Sequence, residues 1–384
     1  VYKLGFCLIG DPAVKIAYPE FGMKVTTVNG QSVDGNSISF KALEKITVEG
    51  EVLDASGQLV TDFTGIVNPT VKDSKVTVTC LKNSNKDDSP AFTFTDYPNT
   101  IFIGNDSVRN GKFSFTFTVP KDISYSNLQG KMNLYAVDTE SGNEAQGNFD
   151  NFIVGGTSDT AETDTIGPEI RALYLNDTTF VDGGQVNTTP YFVAELWDKS
   201  GVNITGSSVG HDMMLVIDES TVLSYNLNSY YELLPGEDGT GIVKFPIPAL
   251  EPGKHTAEFW VWDILNNSTV RTFTFEVVEG LKPFLFDVIA TPGIAREQVT
   301  FHLMHNRPES RMRVGIMVYD LAGRQLWKHE ESGTSGLFEN YTVSWDLTSG
   351  GARMRPGVYI YRAAISTDNS KDATKARKFI ILGE

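Results

Sequence analysis

The sequence predicts an all-β chain built from tandem Ig-like β-sandwich domains, and three observations carry that expectation. Apolar residues alternate with polar ones along short runs: Phe113, Phe115, Phe117 and Val119 in KFSFTFTVP, and Phe273, Phe275 and Val277 in RTFTFEVV. A strand sends successive side chains to opposite faces, so this pattern lays one set on a core and the other in water. Turn pairs punctuate the runs at Asp34-Gly35, Asn110-Gly111, Asp182-Gly183, Pro252-Gly253 and Pro356-Gly357. Such dipeptides supply the positive or fixed φ that reverses a chain between strands. No stretch of 12 or more residues shows the apolar spacing of an amphipathic helix.

From the N-terminus, Val1 to Ile9 (VYKLGFCLI) reads as a strand, with no basic region before it and no small-residue cleavage site after it. That start looks like a cut inside a longer chain, and residues 1–22 read as the end of an upstream domain. Residues 23–155 are expected to form a first Ig-like sandwich. The polar, acidic run from Gly155 to Thr165 (GGTSDTAETDT) marks a linker, placed at residues 156–165. A second Ig-like sandwich follows at 166–280. The short joint EGLKP, Glu279 to Pro283, leads into a last β-sandwich at 281–384. The last two units have the size of one sandwich domain each.

The 384 residues carry 32 Lys and Arg against 48 Asp and Glu, a net charge of -16. Such a surface repels nucleic-acid phosphates and anionic lipid, so neither is expected as a partner. No run of 18 apolar residues exists, so no membrane-spanning helix is expected. The two cysteines, Cys7 and Cys80, both sit in apolar strand contexts. They read as small buried hydrophobes, and a disulfide between them cannot be read from the sequence.

Few residues suggest chemistry. His302 and His305 lie three apart in VTFHLMH, but on a strand they point to opposite faces and do not form a zinc site. The acidic loop Asp138 to Glu144 offers carboxylates and carbonyls for calcium but lacks the regular spacing of a calcium loop, so a solvated loop is favoured. Trp197, Trp260 and Trp262 suggest a sugar-stacking face, although core packing accounts for at least two of them. No catalytic, cofactor or metal residues are expected.

Three segments resemble a known family. Residues 9–19 (IGDPAVKIAYP) resemble the end of the peptidase domain in gingipain-family cysteine peptidases. Residues 167–201 and 250–268 resemble the Ig-like domain of a gingipain-related sortase of type IX secretion. The last domain is similar to the C-terminal sorting domain of type IX cargo in VGIMVYDLAGRQLW, VSWDLTSGGARMRPGVYIYRAAI and KFIILGE, although Ala290-Thr291-Pro292-Gly293 stands where members often carry Asn-Pro-Phe. The resemblance implies a peptidase whose catalytic His and Cys lie upstream of Val1, making this chain a non-catalytic part. It implies a secreted protein held at the cell surface on the outer membrane. An outer-membrane shuttle protein would be the partner, with cargo bearing sorting domains engaged through the full-length enzyme. The docking candidates it implies are Pro356, Gly357, Tyr359, Tyr361, Arg362 and Lys378, with one strand face filling the core and the other presenting the tyrosines. The alternative is an extracellular adhesion or carbohydrate-binding sandwich protein exported by the same route.

Overall fold

The alternating runs become strands in the computed structural model, which describes residues 18–82, 90–159, 164–206, 210–234, 239–337, 339–367 and 369–383. Cys7 and the GDP turn lie outside the described residues. Among those described there is no α-helix, and Asn228–Tyr230 forms a single 3-10 turn.

Lys112–Thr118 shows how the pattern acts. Phe113, Phe115 and Phe117 are buried, Ser114 and Thr116 are exposed, and the strand pairs antiparallel with Lys45–Leu53. Each buried ring contributes about 2–3 kcal/mol from apolar area removed from water. Asn110 and Gly111, both at positive φ (53° and 73°), turn the chain back from Asp106–Arg109. Positive φ at both central residues is what a two-residue hairpin matching the strand twist requires.

The first unit closes on itself. Pairing runs from Lys131–Asp138 through Glu144–Phe149, Phe21–Val28, Lys45–Leu53, Lys112–Thr118, Asp106–Arg109 and Gly65–Lys72, and the last of these pairs back to Lys131–Asp138. Gly65 sits where that closure is tightest: a Cβ there would meet the Val137 carbonyl oxygen at 1.9 Å. A smaller sheet of Leu128–Gln129, Phe152–Thr157 and Ile38–Ala42 covers one end. Gly155 and Gly156, read from composition as the start of the linker, therefore continue a strand paired with Ile38–Ala42. Composition marks glycines as loop-like, but here they form an irregularity within the strand, between Val154 opposite Phe40 and Thr157 opposite Ala42.

The second and third units are two-layer sandwiches of matching design. In the second, Glu169–Leu175, Tyr191–Trp197, Thr240–Pro246 and Tyr231–Leu233 face a sheet ordered Gln185–Val186, Ser268–Val277, Gly253–Trp262, Met214–Ile217, Ser224–Asn226. In the third, Leu285–Thr291, Val299–His305 and Tyr341–Trp345 face Ile294–Ala295, Ala373–Ile381, Gly357–Ser366, Met312–Tyr319 and Gln325–Gly333. In each, a short early strand crosses over to pair parallel with the last strand. Antiparallel sandwiches with this crossover are the Ig-like architecture the alternation implied.

The units touch. Lys121 N donates to Ile264 O (2.8 Å), Asn105 Nδ2 to Leu233 O (2.8 Å), and Asp122 accepts from Asn266 Nδ2 (2.8 Å) while its other oxygen meets His211 Nδ1 (2.5 Å). Between the second and third units the buried Arg307 guanidinium donates to the carbonyls of Leu281 and Lys282, in the EGLKP joint.

Candidate functional site

Two places collect functional chemistry. The first is the Gly357–Ser366 strand and its partner Ala373–Ile381. The structure turns Tyr359 and Tyr361 inward (7% and 2% exposed), where Tyr359 OH donates to Arg355 O (2.7 Å) and Tyr361 OH to Val288 O (2.9 Å). The expectation that this strand presents its tyrosines is thus corrected. Ala363 and Ile365 share their parity and complete a core-facing row with them, and Phe301 and Phe379 pack against the Tyr361 ring. The outward row is Val358, Ile360 and Arg362. Lys378 lies opposite Ile360, and Arg362 opposite Ala376, so the two cations are diagonal neighbours on one open face. Pro356 is exposed and Gly357 half-buried at the start of the strand, leaving them at the rim.

Residues that the sequence reading did not assign to this face are Val358, Ile380 and Ile294, aligned across three strands with 41%, 36% and 55% exposure. The signal was present: Arg362 shares the parity of Val358 and Ile360, and a charge on a row marks it as the solvent side.

The second place is a carboxylate cluster where the linker meets the second unit. Oxygens of Asp164, Asp198 and Asp263 lie within 4.8 Å of one another, close enough to share one cation. The residues that follow each Asp explain the geometry. Asp198 Oδ1 accepts from Ser200 N and Gly201 N, and Asp263 Oδ1 from Leu265 N and Asn267 N. Asn267 ties the set together, donating to Asp263 Oδ2 (2.7 Å) and to the Asp164 carbonyl (3.1 Å). Burial, with Asp263 and Asp164 alongside, pushes the Asp198 carboxyl up to about 6. Burial also raises Asp263, whereas Asp164 is lowered, first by the Ile166 N–H and then by the Ser200 hydroxyl. The cluster was missed from sequence because its members are 34 and 65 residues apart.

Other candidates resolve as structural. Asp138 spends its oxygens on the N–H groups of Glu140, Ser141 and Thr64, and Glu144 accepts from Tyr135 OH, so those carboxylates cap turns and cross-strand donors instead of forming a calcium loop. His305 is held near 4 by burial and by Arg307, accepts from Arg307 N at Nδ1, and meets Ser335 Oγ with Nε2. The three tryptophans are not core residues. Phe259 and Val261 take the inward positions of their strand, leaving Trp260 and Trp262 half-buried outside. The Trp197 ring lies under Arg171 (4.9 Å), Trp262 meets His211 (4.5 Å), and Trp260 Nε1 donates to Glu258. The three are divided between two sheets and neighbouring side chains meet their rings, which weakens the sugar-stacking reading. Cys80 is half-buried beside the two-stranded sheet of Val76–Thr79 and Thr93–Asp96, not in the core as expected; among the described residues that pair joins no larger sheet.

No family model matches the chain, and no curated protein matches it. Among solved structures, dimeric latent PorU from Porphyromonas gingivalis is similar over 98% of this chain at 37% identity, with a TM-score of 0.43. A tetra-tandem repeat in the extending region of a large adhesion protein matches at 14% identity over 95% of this chain and 74% of its own, with a TM-score of 0.20. The FN1–FN3 domains of chicken CNTN1 match at 8% identity over 94% of this chain and 98% of their own, with a TM-score of 0.21. Those two likenesses carry no argument. The likeness to PorU is one of sequence, sustained along nearly the whole of this chain, which spans 35% of that structure's length.

Proposed function

We propose that this chain is the non-catalytic region of a PorU-like, gingipain-type cysteine peptidase that serves as a sortase of type IX secretion. Its first two units act as a scaffold, and residues 281–384 act as a sorting and docking module that holds the protein at the cell surface on an outer-membrane partner. The observation that carries this reading is the 37% identity to PorU over 98% of the chain.

The experiment deletes residues 281–384 from the full-length protein and follows it by cell fractionation. Loss from the cell surface, with residues 24–278 still folded by circular dichroism, is the expected result. A truncated protein that still reaches and stays on the surface overturns the docking role.

A further inference from the structure

We propose that the outward face of the Ile294–Ala295, Ala373–Ile381 and Gly357–Ser366 strands is the surface through which the third unit grips a partner protein whose contact patch is apolar with an acidic rim. The proposal rests on the docking reading above and names its surface. Ile294, Ile380 and Val358 form a continuous cross-strand row, and Ile360 extends it by one step along the strand. Aliphatic side chains are exposed on other strands too, among them Ile66, Ile153 and Val270, but Ile294, Ile380 and Val358 are joined by direct cross-strand pairing. A contiguous aliphatic row on an open sheet face marks an interaction surface.

The charges narrow the partner. Residues 281–384 carry 14 Lys and Arg against 11 Asp and Glu, leaving 18 against 37 in residues 1–280, so the third unit is the cationic end of an acidic chain. Several cations around its second sheet are paired at home: Lys328 with Glu330 (2.8 Å), Arg324 with Asp320 (3.1 Å), Arg377 with Asp287 (2.8 Å) and Arg313 with Asp372 (3.8 Å). Lys378 and Arg362, which border the aliphatic row, have no ion-pair partner among the described residues. Unpaired cations beside an apolar centre fit an opposing surface with carboxylates at its edge, which gains rate and orientation from the charges. A second copy using the same face fits poorly, because a twofold pairing sets these cations against their own copies. A lipid surface fits poorly too, since lipid-binding segments present about four to eight cations and this face offers two.

The test uses the full-length protein in its producing cell, with a photo-crosslinking residue at Val358 or at Ile380. Ile289, exposed on the opposite sheet, serves as the control position. The expected result is an adduct with one and the same partner protein from positions 358 and 380 but not 289, through a peptide carrying Asp or Glu. The double reversal Lys378→Glu with Arg362→Glu should cut that adduct at least tenfold and release the protein from the surface, whereas Lys378→Arg with Arg362→Lys should keep both. Circular dichroism and melting verify that the reversal folds; if it does not, Lys378→Gln with Arg362→Gln is read instead, with at least a threefold loss expected. Adducts equal from position 289, adducts only with itself or with lipid, no adduct, or an unchanged adduct after charge removal each overturn the proposal. If deletion of 281–384 abolishes surface retention while these face variants do not, the docking reading stands and this face is the wrong one.

Discussion

Asp198→Asn should stabilise the second unit at neutral pH and about half as much at pH 5. Asp198 is 4% exposed and sits beside Asp263 and Asp164, and its carboxyl is pushed up to about 6 from an ordinary value of 3.8. Below pH 4 the folded and unfolded forms are both protonated at this residue. Between pH 4 and 6 only the folded form keeps the proton, so stability falls as pH rises through that window and stays lower above it. A shift of this size corresponds to a loss of about 3 kcal/mol at pH 7.5, an upper bound because relaxation and water soften it. Asparagine removes the charge and keeps an oxygen for the Ser200 and Gly201 N–H groups. The assay is amide hydrogen exchange of the full chain in chelator, with wild type and variant compared at each pH and read on Tyr191–Trp197 and Gly253–Trp262. At pH 7.5 the variant should be protected about ten- to a hundredfold better, and at pH 5 about three- to tenfold better. An equal gain at both pH values, or a loss at pH 7.5, refutes the account of Asp198 as a charge held at a cost.

Three more perturbations test the packing. Gly65→Ala drives a methyl group into the Val137 carbonyl and should destabilise the first unit by about 3 kcal/mol or prevent its ring from closing, read as earlier urea unfolding of 18–159. Tyr361→Phe leaves the Val288 carbonyl without its buried donor and should cost about 1–2 kcal/mol in the melting of the third unit, with no change in its sheet content. Arg307→Ala strips the donors from the Leu281 and Lys282 carbonyls and opens a cavity at the joint. It should cost about 3 kcal/mol and speed thermolysin cleavage within 279–284 at least tenfold.

What could be read from the sequence was whatever depends on neighbours along one strand. The Phe113, Phe115, Phe117 row and the Phe273, Phe275, Val277 row are inward, and Asn110-Gly111 is a hairpin turn, because parity and turn chemistry are local. Sequence reading failed where a second element decides. The Gly155-Gly156 pair looks like linker until Ile38–Ala42 lies beside it. Val76, Val78 and Cys80 carry a core-like alternation but are only half-buried, in a strand pair that among the described residues joins no larger sheet, and pattern alone cannot show which face acquires a partner. Closure of the first unit into a ring depends on Gly65–Lys72 meeting Lys131–Asp138 across more than sixty residues, beyond any local signal.

The Gly357–Ser366 strand shows why hydrophobicity is the weaker guide at a surface. Its two rows, Val358-Ile360 and Tyr359-Tyr361, are both apolar enough to be buried, so hydrophobicity alone does not choose between them. Arg362 marks the first row as the solvent side, and each tyrosine of the second reaches a backbone carbonyl, Arg355 O or Val288 O, so a large aromatic can be buried with its polar tip satisfied. Once the tyrosines fill the core, the aliphatics and Arg362 are turned out together with Lys378, Ile380 and Ile294. The burial that stabilises the sandwich therefore also sets which side chains its open face presents. A substitution such as Tyr361→Phe, by loosening that inward row, should weaken surface retention only in proportion to lost folding, whereas reversing Lys378 and Arg362 should weaken retention with folding intact.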